Sequence, residues 1–134
     1  MKASGSFEVE IRPQAPFFEQ DGLTLGGAEG QKRFSGPLEA TGNVHMLSAR
    51  TAVPGSAGYV ALERIEGTLE GRSGTFVVAH LGTMGAGDEA LSIVIVPDSG
   101  TGELTGIRGT MGIRIEAGQH CYWIEWTMPS DRPD

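Results

Sequence analysis

A single cysteine, Cys121, occurs in 134 residues, so no disulfide can form within the chain and nothing in it calls for an oxidising compartment. Positive charge is scarce as well. Ten Lys and Arg face seventeen Asp and Glu, a formal charge of −7, and with no basic cluster the chain is poorly equipped to grip a phosphate backbone. Long apolar runs are missing: the most continuous, Ser92 to Val96, is far too short to cross a bilayer as a helix. Met1 to Phe7 enters strand-like alternation without an apolar stretch of signal-peptide length. Strong amphipathic helical periodicity is absent throughout. Together these gaps predict a reduced, soluble, cytoplasmic, all-β protein with no nucleic-acid or membrane partner.

Glycine is what the chain has in plenty, 21 residues, more than twice the usual share of about 7%. The glycines form no low-complexity tract. They punctuate alternating segments, as turns, bulges and bends of short-looped strands do. The length suits a single domain, read as residues 1–128, followed by a polar tail at 129–134.

The clearest strands run from Gly58 to Met84. Tyr59, Ala61, Glu63, Ile65 and Leu69 alternate with a set that turns wholly polar near the end of the first arm, so the first set is inward and takes Glu63 with it. A turn at Arg72-Ser73, or from Gly71 to Gly74, would oppose Leu69 to Phe76, Ile65 to His80 and Glu63 to Gly82. In that register Glu63 and His80 share a face as diagonal neighbours. Other expected strands are Ser6 to Arg12, ended by Pro13 and Pro16; Gln31 to Thr41, with Phe34 and Leu38 inward and Pro37 at an edge or bulge; and Asn43 to Val53. Leu91 to Pro97, Gly109 to Glu116 and Gln119 to Met128 follow. Phe17 to Gly30 reads as a loop or short hairpin. The last pair, turning at Ala117-Gly118, would set Met111, Ile113 and Ile115 against Ile124, Tyr122 and His120, with Trp123 over Gly112. Short turns and no crossover helices predict an eight-stranded antiparallel β-barrel, which also removes the sheet edges. Its interior would be either filled or wide enough for one small ligand. The apolar outer side of Leu91 to Pro97 asks for a cover, and a second subunit is expected there, giving a homo-oligomer with a dimer favoured.

The strings GSAGYVALERIEGTLEGRSGTFVVAH (55–80) and VPDSGTGELTGIRGTMGI (96–113) resemble, in order and spacing, a family of small bacterial proteins known as domain-of-unknown-function family 3224. That resemblance implies a calycin-like barrel related to allene oxide cyclase and dirigent proteins, usually homo-oligomeric, and no assigned activity. Ser99 to Gly106 is also similar to a Gly-Ser-Gly turn of the plant cyclases, a structural element that brings no catalytic residue with it.

Glu63 with His80 is the sharpest constellation: a buried carboxylate beside an imidazole can move a proton, anchor a polar ligand group, or simply satisfy itself as a structural pair. Tyr59, Met84, Met111, Tyr122 and Trp126 would either line an apolar pocket with polar handles or fill the core. No metal and no cofactor is expected. His45, His80 and His120 lie on separate strands without ligand spacing, and the glycines at 100, 102 and 106 run into a strand where a dinucleotide fold needs a helix. Cys121 lacks a cationic neighbour in sequence. Three readings remain: a module binding a small, mostly apolar molecule in the lumen; an isomerase or cyclase using Glu63 or His80; or a filled barrel serving only subunit association.

Overall fold

Alternating side chains and glycine turns produce nine antiparallel strands in the computed structural model, which describes residues 1–133. They are β1 (Lys2–Pro13), β2 (Phe18–Gln20), β3 (Leu23–Ser35), β4 (Leu38–Arg50), β5 (Ala57–Leu69), β6 (Arg72–Gly85), β7 (Asp88–Ile95), β8 (Arg108–Glu116) and β9 (Gln119–Thr127). Neighbours follow in the order β1-β9-β8-β7-β6-β5-β4-β3, and β3 pairs back to β1, which closes an eight-stranded barrel. Short β2 continues the track of β1 along β3 beyond Pro13 and pairs with Leu23–Leu25; Phe17 to Gly30, read as a loop or short hairpin, thus holds a hairpin whose second arm is the first part of the long strand β3. Among the described residues, no helix is long and apolar enough to cross a membrane.

The central hairpin keeps the expected faces but not the expected register. Leu69 pairs with Arg72, Ile65 with Phe76, Ala61 with His80 and Tyr59 with Gly82, four residues away from the pairing that hydrophobic matching favoured. The turn is Glu70-Gly71, both with positive φ (46° and 83°), as the tight hairpin that matches strand twist requires. Arg72 and Ser73 are therefore strand residues. A second correction concerns Gln31 to Thr41, which is two strands. Gly36, at φ 113°, and Pro37 turn the chain between β3 and β4, because Pro37 lacks the amide a continuing ladder needs. The β8–β9 register stands as expected, Met111 opposite Ile124 and Gly112 opposite Trp123, and the indole lies where a Cβ at Gly112 would be.

One end of the barrel is plugged. The connection after β7 folds across β6, with Thr101 N–H donating to Thr75 O (2.8 Å) and Val77 N–H to Ser99 Oγ (3.0 Å), and drives Leu104 and Ile107 into the interior. The tail is not loose there: Pro129–Asp131 forms a 3-10 turn, Met128 is buried, and Arg132 donates to Gly106 O (2.8 Å). Asp134 lies outside the described residues. Phe7, Phe34, Ile65, Phe76, Val78, Met111, Tyr122, Ile124 and Trp126 fill the space above the plug in one continuous core. Toward the other end the wall loosens. β7 and β8 share two residue pairs, Ile93 with Met111 and Val94 with Thr110, against thirteen between β5 and β6.

Candidate functional site

At mid-height the apolar filling is interrupted by three polar side chains, Lys32, Glu63 and His80, all buried. Each points inward by strand parity: Lys32 with Phe34 on β3, Glu63 with Ile65 on β5, and His80 with Val78 on β6. Lys32 Nζ donates to Glu63 Oε1 at 3.0 Å, and His80 Nε2 stands 3.0 Å from the same oxygen. The ammonium also rests on aromatic faces, 5.1 Å from the Phe7 centroid and 6.0 Å from that of Phe34. Burial alone would raise the Glu63 carboxyl. The hydrogen bond from His80 and the Lys32 charge outweigh it and hold the group below its ordinary value of 4.5.

Lys32 and Glu63 lie two strands apart and meet because β4 presents a glycine between them. Gly42 is paired with Lys32 on one side and with Ile65 on the other. A Cβ there would overlap Glu63 Oε2 and sit 3.2 Å from Phe34 Cε2. That oxygen is, among the described residues, the one sealed side-chain polar atom without a hydrogen-bond partner. Gly42→Ala is expected to cost about 2–3 kcal/mol, from overpacking a core position whose neighbour is pinned. Urea unfolding measures this, and a variant as stable as the parent would show that the carboxylate does not sit against Gly42.

Above the three polar groups, toward the loosened end, opens a cup of about 380 Å³. Its inward-facing wall comes from two rows of opposed residues: Ser48, Tyr59, Gly82 and Leu91, then Arg50, Ala57, Met84 and Glu89. The row beneath is Met46, Ala61, His80 and Ile93, so His80 lies directly under the cup. Tyr59 lies against Gly82, where a Cβ would overlap its ring, with its centroid 6.3 Å from that of His80. Burial, and then the Glu63 charge, push the Tyr59 phenol above 10.0.

Of the residues singled out from sequence, Tyr59, Glu63, His80 and Met84 fall on this axis from rim to mid-barrel. Met111, Tyr122 and Trp126 do not join them. Met111 packs across Ile93 in the core, Trp126 lies deep near the plug, and the Tyr122 hydroxyl is occupied with the β3–β4 turn. It accepts from Leu38 N–H (3.0 Å) and lies 3.1 Å from Ser35 O, which suits a residue that fixes a corner. Parity with Phe34 was the signal for Lys32, and a mid-strand glycine was the signal for the space it reaches across. Among the described residues, no group of three His, Cys, Asp or Glu side chains is placed to hold a metal ion.

A family model described as "Protein of unknown function (DUF3224)" matches residues 3–126. This chain belongs to that family. A DUF3224 protein of unknown function from Shewanella oneidensis MR-1, known from a crystal structure, is 46% identical, with a TM-score of 0.91 over 96% of this chain and 97% of that one. No curated protein matches. The family thus fixes the barrel without supplying an activity.

Proposed function

We propose that this DUF3224 protein is a non-enzymatic binding module that takes a small, mostly apolar molecule into the cup. The carrying observation is a cup of about 380 Å³ walled by Met46, Ala57, Tyr59, Met84 and Leu91, with one buried imidazole beneath it, the usual makeup of a small-molecule site. In the isomerase or cyclase reading, which would use Glu63 or His80, Glu63 has less support as the base: a general base works best with a pKa near the operating pH, whereas this carboxyl is held low. The packed lower half would equally suit a barrel that serves only association, and the cup is what supports binding over that reading.

The same reading includes a homo-oligomer, with a dimer formed through the outer face of β4–β7, and a cytoplasmic setting supported by the single cysteine. It also includes kinship with the allene oxide cyclase and dirigent barrels, supported by strand number and antiparallel order. An environment-sensitive apolar dye is expected to bind the protein near one equivalent. Met84→Trp, at a half-exposed rim position, should fill the cup and abolish that binding with little change in melting temperature. Dye binding that survives Met84→Trp would place the guest elsewhere and end the cup reading.

A further inference from the structure

The two nitrogens of His80 are not equivalent. A carboxylate at Glu63 can only accept, so the 3.0 Å contact with Oε1 calls for a proton on His80 Nε2. In the neutral ring the other nitrogen, Nδ1, is a lone-pair acceptor on the far side of the ring from Glu63. Glu63 pairs with Val78, one row nearer the plug, while Tyr59 and Gly82 form the next row toward the rim. This row order puts Nδ1 toward the rim, one row beneath Tyr59 and Gly82, which line the cup. It makes no hydrogen bond within the described residues, and unlike Glu63 Oε2 it is not among the sealed atoms.

A buried acceptor is satisfied by a donor, and the neighbouring charges select which kind. The Lys32 ammonium is already engaged with Glu63 at 3.0 Å and is shielded by Phe7 and Phe34. It offers little to an anion in the cup. The Glu63 carboxylate opposes negative charge at the cup floor, the same effect that adds to the raised Tyr59 phenol. A carboxylate guest would arrive beside that charge and offer Nδ1 only another acceptor. Placing its head at the rim instead, on Arg50, would leave Nδ1 unmet. A hydroxyl meets both conditions, donating while staying neutral.

Resting on the cup reading, we infer that the guest is a neutral alcohol, an apolar body whose hydroxyl donates to His80 Nδ1. The probes are 1-octanol, methyl octyl ether and octanoate, titrated calorimetrically into the intact protein at neutral pH, with ¹⁵N spectra of the histidine ring recorded alongside. Octanol is expected to bind about tenfold more tightly than the ether, the worth of one hydrogen bond to a neutral acceptor, and more tightly than octanoate. The His80 Nδ1 resonance should start in the unprotonated range and move on octanol addition. In His80→Phe the preference for octanol over the ether should vanish. If that variant does not fold, the wild-type spectra decide alone. An ether that binds as well as octanol, a preference for octanoate, or a protonated Nδ1 in the free protein overturns the hydroxyl assignment and leaves the cup standing. Failure of all three probes to bind overturns the cup and this inference together.

Discussion

Lys32→Met is expected to destabilise the protein by about 3–5 kcal/mol, because it leaves the Glu63 charge buried without its cation. For a domain of this size that is a fall of roughly 10–20 °C in melting temperature. Glu63 is 1% exposed, and one of its oxygens already lacks a partner, so the protein has no slack with which to resolvate it. His80 would remain as a hydrogen-bond partner at 3.0 Å. Replacing the whole set with apolar side chains of similar volume, Lys32→Met with Glu63→Leu and His80→Phe, should return most of the stability, since buried ion pairs seldom outperform a packed core. Unfolding in urea separates the two cases. Equal stability of parent and Lys32→Met would mean that the carboxylate finds water. Acid gives an independent check. The folded pKa of Glu63 lies below its unfolded value of about 4.5, so its contribution is complete above that value and drains away as pH falls through the folded pKa. This acid slope should be present in the parent and missing in the triple variant.

The second large effect concerns the proposed dimer, which charge on the outer wall of β4–β7 should abolish. Strand pairing lays two apolar rows side by side there, Leu47–Val60–Leu81 and Leu62–Ala79–Val94. The five large side chains among them are each 43–58% exposed. A contiguous patch of this kind on a barrel with a net charge of −7 marks a surface that expects a cover. Burying one such side chain completely gains about 1.5–3 kcal/mol, and a twofold interface counts every residue twice. Leu62→Glu with Leu81→Glu should therefore weaken association by more than about a thousandfold. Sedimentation at tens of micromolar should give a dimer for the parent and a monomer for the variant. The parent's melting temperature should rise with concentration and the variant's should not. A parent that sediments as a monomer removes the dimer from the proposed function and leaves the cup untouched.

Period-two alternation carried the barrel, the inward face of β5 and the burial of Glu63 beside His80, because burying one face forbids a one-residue slip. It did not carry the register of the central hairpin: a shift of four restores every residue to its own face, and hydrophobic matching is blind to it. Turn chemistry would have decided. Asp21-Gly22, Glu70-Gly71, Ala86-Gly87 and Ala117-Gly118 all turn with positive φ at both positions, the X-Gly signature of a two-residue hairpin, whereas Arg72-Ser73 has no glycine. The partner of Glu63 is hidden in the sequence for a different reason. A lysine in a strand reads as solvent-facing by habit, yet parity with Phe34 had already turned it inward. Met111, Tyr122 and Trp126 share the interior with the cup residues, and what separates them is height along the barrel axis, which alternation does not encode.

The two-pair joint between β7 and β8 bears on what the cup can admit. Leu91 lines the cup and sits just past the last of those rungs, at Ile93 and Met111. Parting two rungs turns a round mouth into a slit down one side. The proposed guest, if longer than the cup, would then lie with its hydroxyl end inside and its tail threaded out between the strands. Under the proposed function the size limit would be set by a fastening, and such a barrel would carry a collection of chain lengths, not one molecule.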